Sequence, residues 1–331
     1  MNDSKSSKVR ALLSGSSVDQ PGLAAALMVG SLFMLAFQDS LVKLVSSEIT
    51  IWQFQFLRAS FNIALLVVLT RLVWGKQKPW PKSPSAVLLR SLFLATGMML
   101  FFGGMPVLSL ASLAAGLYVF PLFIALLSGV VLGERVGPRR ILAIICGFSG
   151  TLLMLKPGTD AFTLMGLMPI GAAFCYASSI LTTRKLCRDE SPVTLTYGLA
   201  VLLLIVGSIG IGVFSQNPLP DLAGSFPYLF TGWNWVDMSV YGIIAFCSLM
   251  NIFANIGLSK AYQSADSAWL APFDYSYLIF ATFWSVVMWD NLPDALSFVG
   301  MFLISGAGIF VAWRERQEKR KLAPTNEAHL R

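Results

Sequence analysis

Charged side chains are rare in the apolar stretches of this sequence, and four of them could do chemistry there. They are two carboxylates and two cations: Asp39, Lys43, Arg58 and Asp274. A carboxylate can take up and release a proton, and a guanidinium binds carboxylates and other electron-rich groups. These residue types therefore favour solute recognition or proton exchange.

Other chemistries have no suitable residues in these stretches. The only histidine, His329, stands near the C-terminus, which excludes histidine-based triads and zinc sites within the apolar stretches. The four cysteines are scattered without metal-ligand spacing, and no Gly-x-x-x-x-Gly-Lys-Ser/Thr loop for phosphate occurs. We therefore expect no catalytic residue, no metal and no cofactor, and we do not expect an enzyme.

The composition predicts an all-α integral membrane protein. Of the 331 residues, 56% are hydrophobic and only 12% are charged, whereas soluble domains carry about 25% charged residues. A helix needs roughly 20 apolar residues to cross a bilayer. By that measure the chain has ten transmembrane helices, at 21–43, 51–73, 86–106, 110–132, 139–156, 163–183, 193–214, 238–259, 267–289 and 295–313.

Basic residues indicate how these helices are oriented in the membrane. Lys and Arg concentrate in alternate loops and in the two tails, residues 1–20 and 314–331, whereas the segment "SQNPLPDLAGSFPYLFTGWNW" has none. Loops rich in Lys and Arg stay in the cytoplasm. We therefore expect both tails to be cytoplasmic and the lipid bilayer to be the plasma (cell inner) membrane. The same distribution, despite a net charge of +7, gives no nucleic-acid-binding patch.

An internal repeat relates the two halves of the chain. Without gaps, at an offset of 156 residues, Gly150 meets Gly306, and the match keeps register across two spans and their loop. Five spans in each half, 21–156 and 163–313, is an odd number, so the halves would be inverted. Two inverted five-helix repeats are typical of secondary transporters, which bind solute near mid-membrane between the repeats.

A family resemblance follows from these motifs. The segment "PLFIALLSGVVLGERVGPRRILAIICGFSGTLLMLKPG" resembles the signature of the drug/metabolite transporter (DMT) superfamily, in its EamA-type family of ten-helix carriers. Asp39, Lys43 and Arg58 resemble the charge pattern of a subgroup, over a match of about residues 22–313. The second half departs from the family, because Asp290 stands where a Glu is usual.

The resemblance implies a secondary transporter that carries a small polar metabolite by alternating access. Amino acids, riboflavin-like cofactors and S-adenosylmethionine-like metabolites all stay open as solutes, as do import and export. Protons are the candidate coupling ion, with Asp39 and Asp274 as the carboxylates that would titrate. The alternative is a membrane-embedded lipid scramblase or a structural membrane protein without solute transport.

Spacing places the first-half charges relative to one another. Arg58 lies seven residues into its span, about 11 Å deep at 1.5 Å per residue, and its helix follows that of Asp39 after a short loop. We therefore expect an Asp39–Arg58 ion pair, which either ties two helices or contacts solute or a proton. Lys43, one turn from Asp39, is expected to reach the membrane interface as an anchor.

The remaining candidates lie mostly in the second half. Asp274 follows Pro272, which would loosen its helix, and an aromatic group that includes Tyr277 surrounds it. Asn251 and Asn255 share a helix face and predict either interhelical hydrogen bonds or a solute contact. Glycines of the fifth and tenth spans suit close packing within the chain or in a homodimer. Further solute-contact candidates are Tyr118, Trp269 and Tyr275, and further structural residues are Pro121, at a kink, and Glu134, in a hairpin loop.

Overall fold

The protein is described here by a computed structural model, which is helical throughout its ordered elements. Among the described residues, nine helices are long and apolar enough to cross a membrane, and a shorter apolar helix, Ile141–Leu155, makes a tenth. The predicted ten-helix membrane protein is confirmed. Glu134 lies outside the described residues, which are 21–69, 71, 80–132, 137–156, 163–216, 219–265 and 267–322.

Most helices begin and end within a few residues of the predicted spans. The eighth and tenth helices extend beyond the C-terminal ends of their predicted spans, because hydropathy measures the membrane-spanning part and not the whole helix. The first five are α1 Pro21–Val45, α2 Ile51–Leu69, α3 Pro84–Gly103, α4 in two parts, α4a Leu110–Leu117 and α4b Phe120–Leu132, and α5 Pro138–Leu155. The second five are α6 Met168–Leu186, α7 Pro192–Gln216, α8 Met238–Ser264, α9 in two parts, α9a Ser267–Asp274 and α9b Ser276–Trp289, and α10 Ala295–Leu322.

Local sequence explains several of the helix ends. Pro84, Pro138 and Pro192 begin α3, α5 and α7, where the missing N–H costs nothing because the first N–H groups of a helix have no partner. Lys156 and Asp290 follow α5 and α9b in the left-handed region, each with φ of 49°, which turns the chain out of the helix. Proline starts and left-handed ends therefore fix the helix lengths.

The helix neighbours in the first half of the chain correspond to those in the second half. If every helix is replaced by its counterpart in the other half, α1 by α6, α2 by α7 and so on, the same set of neighbouring pairs is obtained. The main pairs are α1 with α8 and α3 with α6, α1 with α9 and α6 with α4, and α2 with α8 and α7 with α3. Two further pairs, α2 with α7 and α5 with α10, map onto themselves. This set of neighbours is the one expected of two equivalent five-helix halves.

Helices α5 and α10 cross with their backbones in close approach. A Cβ atom added to Gly150 would lie 2.7 Å from the carbonyl oxygen of Gly300, so only glycine permits this distance. Beyond the crossing, Lys156 Nζ forms a salt bridge of 2.7 Å with Asp294 Oδ2. This bridge lies at the end of the bundle that carries the connections 46–50, 104–109, 219–237 and 290–294. That end is here named the loop end.

Candidate functional site

Two of the membrane helices are interrupted, and the interruptions stand at equivalent places in the repeat. Helix α4 breaks after Leu117, at Tyr118, and α9 breaks after Asp274, at Tyr275. In the sequence alignment of the two halves, the offset of 156 residues pairs Tyr118 with Asp274. Unwound segments in such helices expose backbone groups at membrane depth, where secondary transporters bind their solutes. The two breaks therefore mark the middle of the bundle as the candidate site.

A proline stands near each interruption. Pro121 stands in the first turn of α4b, and Pro272 lies inside α9a, two residues before its end. Proline lacks an N–H and its ring crowds the preceding turn, so the helix on its N-terminal side loses hydrogen bonds. This effect suits the break before Pro121, whereas the break after Asp274 lies on the C-terminal side of Pro272, so the loosening of α9 by Pro272 stays a prediction.

Tyrosine rings join the two interrupted helices. The ring of Tyr118 stacks on that of Tyr277, with centroids 5.3 Å apart and planes 12° apart. Tyr118 also contacts Tyr275 at 5.5 Å. Such offset ring pairs add to the gain from burial. Tyr118, Tyr275 and Tyr277 therefore form one aromatic cluster, here named the tyrosine cluster.

The carboxylate of Asp39 is bound into this cluster. The Tyr277 hydroxyl donates to Asp39 Oδ2 at 2.5 Å, and Gln38 Nε2 donates to Oδ1 at 3.1 Å. Asp39 is only 7% exposed. A hydrogen bond to a carboxylate is shorter and stronger than one between neutral groups. The structure therefore links α1 directly to α9b through Asp39.

The expected Asp39–Arg58 ion pair is not formed. Both residues are described, and their charged atoms do not approach within 4.0 Å, although their charges still interact over a longer distance. The Arg58 guanidinium instead lies 4.9 Å from the ring centre of Phe102 and 5.6 Å from that of Phe54. The prediction was wrong because Tyr277 of a third helix occupies the place beside Asp39.

Arg58 is nevertheless an unusual buried cation. Its side chain is 5% exposed, and its Nη1 atom has no hydrogen-bond partner. Contact with aromatic faces stabilises a guanidinium but leaves the N–H groups at its edge unused. The geometry therefore leaves Arg58 able to donate to a polar group that enters the site.

Lys43 contacts the loop between α3 and α4 and an aromatic ring. Its Nζ atom donates to the carbonyl oxygens of Met105 at 2.5 Å and Leu108 at 2.6 Å, in the α3–α4 connection. It also lies 5.5 Å from the ring centre of Trp289. The ammonium group therefore satisfies backbone carbonyls at the loop end, and its role as an interfacial anchor stays a prediction.

Asp274 has a different setting from Asp39. Within the described part of the chain, no hydrogen bond or ion pair involves its carboxylate, and the residue is partly buried. It interacts electrostatically with four tyrosines from α4, α6, α8 and α9, two of which the sequence did not single out. They are Tyr118, Tyr176, Tyr262 and Tyr275. Asp274 is therefore a carboxylate that is free to bind a proton or a solute.

Three further candidates lie apart from this network. Asn255 Nδ2 donates to the backbone oxygen of Asn251 at 2.7 Å and to its Oδ1 at 3.2 Å, so these bonds stay within α8 and do not link helices. Asn255 is exposed. Trp269 packs on Phe273 of its own helix, with centroids 5.0 Å apart. None of the three contacts Asp39, Arg58 or the tyrosine cluster through a hydrogen bond or ring contact in the described structure.

A cavity in the protein lies away from the candidate polar residues. This cavity, of about 110 Å³, lies between α4a, α5 and the start of α6, lined in part by Ser112, Gly116 and Thr151. No candidate residue lines it. This cavity is therefore separate from Asp39, Asp274 and the tyrosine cluster. In the described residues no cluster of His, Cys, Asp and Glu could hold a metal ion.

Comparison with known proteins gives a consistent family and fold. Residues 22–156 match the model of the EamA-like transporter family. The chain is 27% identical over 278 residues to a riboflavin transporter of Rhizobium johnstonii, covering 84% of each protein. It is 22% identical over 287 residues to an S-adenosylmethionine uptake transporter of Rickettsia prowazekii, covering 87% of this chain and 91% of that protein.

A solved crystal structure shares the fold. It aligns with 89% of this chain and 98% of its own, with a TM-score of 0.60 at 17% sequence identity. At that identity the likeness concerns the arrangement of helices alone.

Proposed function

We propose that this chain, which belongs through residues 22–156 to the EamA-like transporter family, is a secondary transporter of a small polar metabolite that works by alternating access. One observation carries the proposal. Helices α4 and α9 are interrupted at equivalent positions of the repeat, and the breaks meet at a tyrosine cluster that adjoins Asp39 and Asp274. A rigid structural protein would have no need of two broken helices around ionisable groups.

The favoured solute is a riboflavin-like cofactor with a planar ring. Tyrosine faces around the breaks suit stacking on a ring, and the relative from Rhizobium johnstonii is named a riboflavin transporter. S-adenosylmethionine is the second candidate, supported by the relative from Rickettsia prowazekii.

Proton coupling is the favoured source of energy, and Asp274 is the group that would bind the proton. Its carboxylate has no hydrogen-bond partner among the described residues, whereas that of Asp39 is held by Tyr277 and Gln38. A carboxylate that is not committed to the scaffold can change its protonation without dismantling helix contacts. We further propose that the protein lies in the plasma membrane. The distribution of Lys and Arg supports an orientation with both tails in the cytoplasm.

The test uses the purified full chain in liposomes. Radiolabelled riboflavin and S-adenosylmethionine are supplied outside, with and without a pH gradient, and uptake is compared with protein-free liposomes. Riboflavin accumulation that the gradient increases is the expected result. Uptake of S-adenosylmethionine without uptake of riboflavin would contradict the riboflavin-like assignment and make S-adenosylmethionine the solute.

The same liposomes test the alternative of a lipid scramblase. Fluorescent lipids placed in both leaflets are reduced from the outside, and the reduced fraction reports lipid exchange between leaflets. A transporter leaves this fraction at the protein-free level. Fast lipid exchange without uptake of either solute would contradict the proposed transport function.

A further inference from the structure

The connection between α7 and α8 folds back over the start of α2. Its residues 226–236, here named the lid, are held by side chains of α2 and the loop before it. Thr50 Oγ1 donates to the oxygen of Gly232 at 2.8 Å, and Trp52 Nε1 donates to that of Leu229 at 2.8 Å. Gln53 exchanges two hydrogen bonds with the backbone of Asn234, at 2.9 and 3.2 Å. A small set of side chains at one place therefore docks the lid.

The lid inserts one polar side chain into the protein. Tyr228 is 5% exposed, and its hydroxyl has no hydrogen-bond partner. It interacts electrostatically with Arg58. Since burying an unpaired hydroxyl is unfavourable, this placement needs a reason other than stability of the closed lid.

Further buried polar atoms without partners belong to residues that are connected to Arg58, either along α2 or through Asp39. Both side-chain polar atoms of Gln55 lack a partner, and so does Gln38 Oε1. Gln55 is fully buried and Gln38 is 2% exposed. Gln55 precedes Arg58 by three residues and so shares its helix face, while Gln38 adjoins Asp39. Native proteins leave few such atoms unsatisfied, and a cluster of them calls for an explanation.

The atoms without partners define what a ligand must offer. Arg58 Nη1, Gln55 Nε2 and the Tyr228 hydroxyl can donate, whereas the side-chain oxygens of Gln55 and Gln38 accept. A carboxylate would satisfy the donors and leave both amide oxygens unpaired. Asp39 also balances the charge of Arg58, so no further negative charge is needed. A neutral edge with carbonyl and N–H groups side by side satisfies donors and acceptors together.

We propose that Gln38, Gln55, Arg58 and the lid residue Tyr228 form a binding site for the imide or ureide edge of a neutral planar ring. This inference rests on the proposed transport function and narrows its solute class. Carbonyl oxygens of the ring accept from Arg58 and Tyr228, and the ring N–H donates to a glutamine oxygen. Opening of the lid admits the ring, and closing brings Tyr228 onto it.

The test compares rings that differ only at the imide nitrogen. Thermal stabilisation of the purified full chain is measured against riboflavin and 3-methylriboflavin, and against uridine and 3-methyluridine. A bound ligand raises the melting temperature with its concentration. The methyl group removes the N–H donor, so we expect at least a tenfold weaker apparent affinity. Equal stabilisation by the methylated and unmethylated rings would overturn the inference.

Two variants separate ligand recognition from a structural role. Gln55→Leu removes two unpaired polar atoms with a side chain of similar size, so the ligand-free melting temperature should stay the same or rise. Its preference for the unmethylated rings should disappear. Tyr228→Phe should weaken binding of the unmethylated ring several-fold, and the matched control Tyr197→Phe, in α7, should not. A Gln55→Leu protein that melts earlier and keeps the full preference would contradict the site.

Failure of this inference can be told apart from failure of the transport function. If the liposomes accumulate S-adenosylmethionine and no imide-bearing ring stabilises the protein, the inference is overturned and transport stands. If neither solute is taken up and lipids exchange rapidly, the transport function fails and the inference fails with it. Riboflavin uptake that discriminates against the 3-methyl analogue supports both.

Discussion

The two candidate carboxylates, Asp39 and Asp274, occupy opposite situations within one bundle. Asp39 is buried and receives hydrogen bonds from Tyr277 and Gln38. Asp274 is partly buried and has no hydrogen-bond partner among the described residues. The backbone differs as well, since α1 is continuous around Asp39 whereas α9 is broken immediately after Asp274. One acid is therefore part of the scaffold, and the other is available for exchange.

The replacement Asp39→Leu should produce the largest effect. It leaves the buried Tyr277 hydroxyl without its acceptor and removes a charge that interacts with Arg58, and each buried group that loses its partner costs about 1–3 kcal/mol or more. The expected result is low membrane abundance and a strongly reduced melting temperature of the purified protein. A variant with wild-type abundance and melting temperature would show that Asp39 is not part of the scaffold.

The replacement Asp274→Asn should leave stability near wild type and abolish proton coupling. With one proton per solute, a gradient of about two pH units can sustain about a hundredfold accumulation, since each unit is worth about 1.4 kcal/mol. Asn cannot titrate, so the accumulation ratio in liposomes should fall to about one. Asp237→Asn, at an exposed loop position, is the matched control. Gradient-driven uptake by Asp274→Asn would remove Asp274 from the coupling role.

The replacement Tyr277→Phe tests the hydrogen bond to Asp39 by changing its donor instead of its acceptor. It keeps the ring that stacks on Tyr118 and removes the hydroxyl that donates to Asp39. The expected loss of stability is about 1–3 kcal/mol, measured by thermal or denaturant unfolding in detergent, because a buried acceptor loses its donor. Tyr241→Phe in α8 is the control. Equal melting temperatures for the two variants would mean that the short hydrogen bond contributes little.

The replacement Asp294→Asn should have the smallest effect. The hydrogen bond from Lys156, with support from Ser297, lowers the pKa of Asp294 from 3.8 to about 2. Its stabilisation is therefore complete above about pH 4 and is lost as the pH falls through about 2. Because the Asp294 side chain is 47% exposed, we expect less than about 1 kcal/mol in a melting-temperature series over pH. A larger loss at neutral pH would give this exposed acid a role in the scaffold.

The sequence predicted the helices well, because hydropathy averages over a whole span and tolerates local irregularity. It also singled out Pro121 and Pro272, each of which lies within three residues of a helix interruption. The partner of Asp39 could not be predicted, because Tyr277 lies 238 residues further along the chain. Spacing rules for neighbouring helices favoured Arg58 instead, and nothing in the local pattern distinguishes these two partners.

The site is likewise only partly readable from the sequence. Arg58 and Asp274 stand out because charge is rare in apolar spans, so their types alone marked them. Gln55 and Tyr228 do not stand out, because their significance depends on missing hydrogen-bond partners, which only coordinates reveal. Asn255 is a different case, since it is exposed and bonded within its own helix, so the expected hydrogen bond between helices is absent and the solute contact stays a prediction.

The contacts of Lys43 have a consequence for the order of events during synthesis. Its first acceptor, the carbonyl oxygen of Met105, lies 62 residues later in the chain. A ribosome that adds about 5–20 residues per second produces Met105 roughly 3–12 s after Lys43. The first helix therefore emerges with an ammonium group whose final acceptors do not yet exist, and it reaches its mature position only after the third helix has been translated.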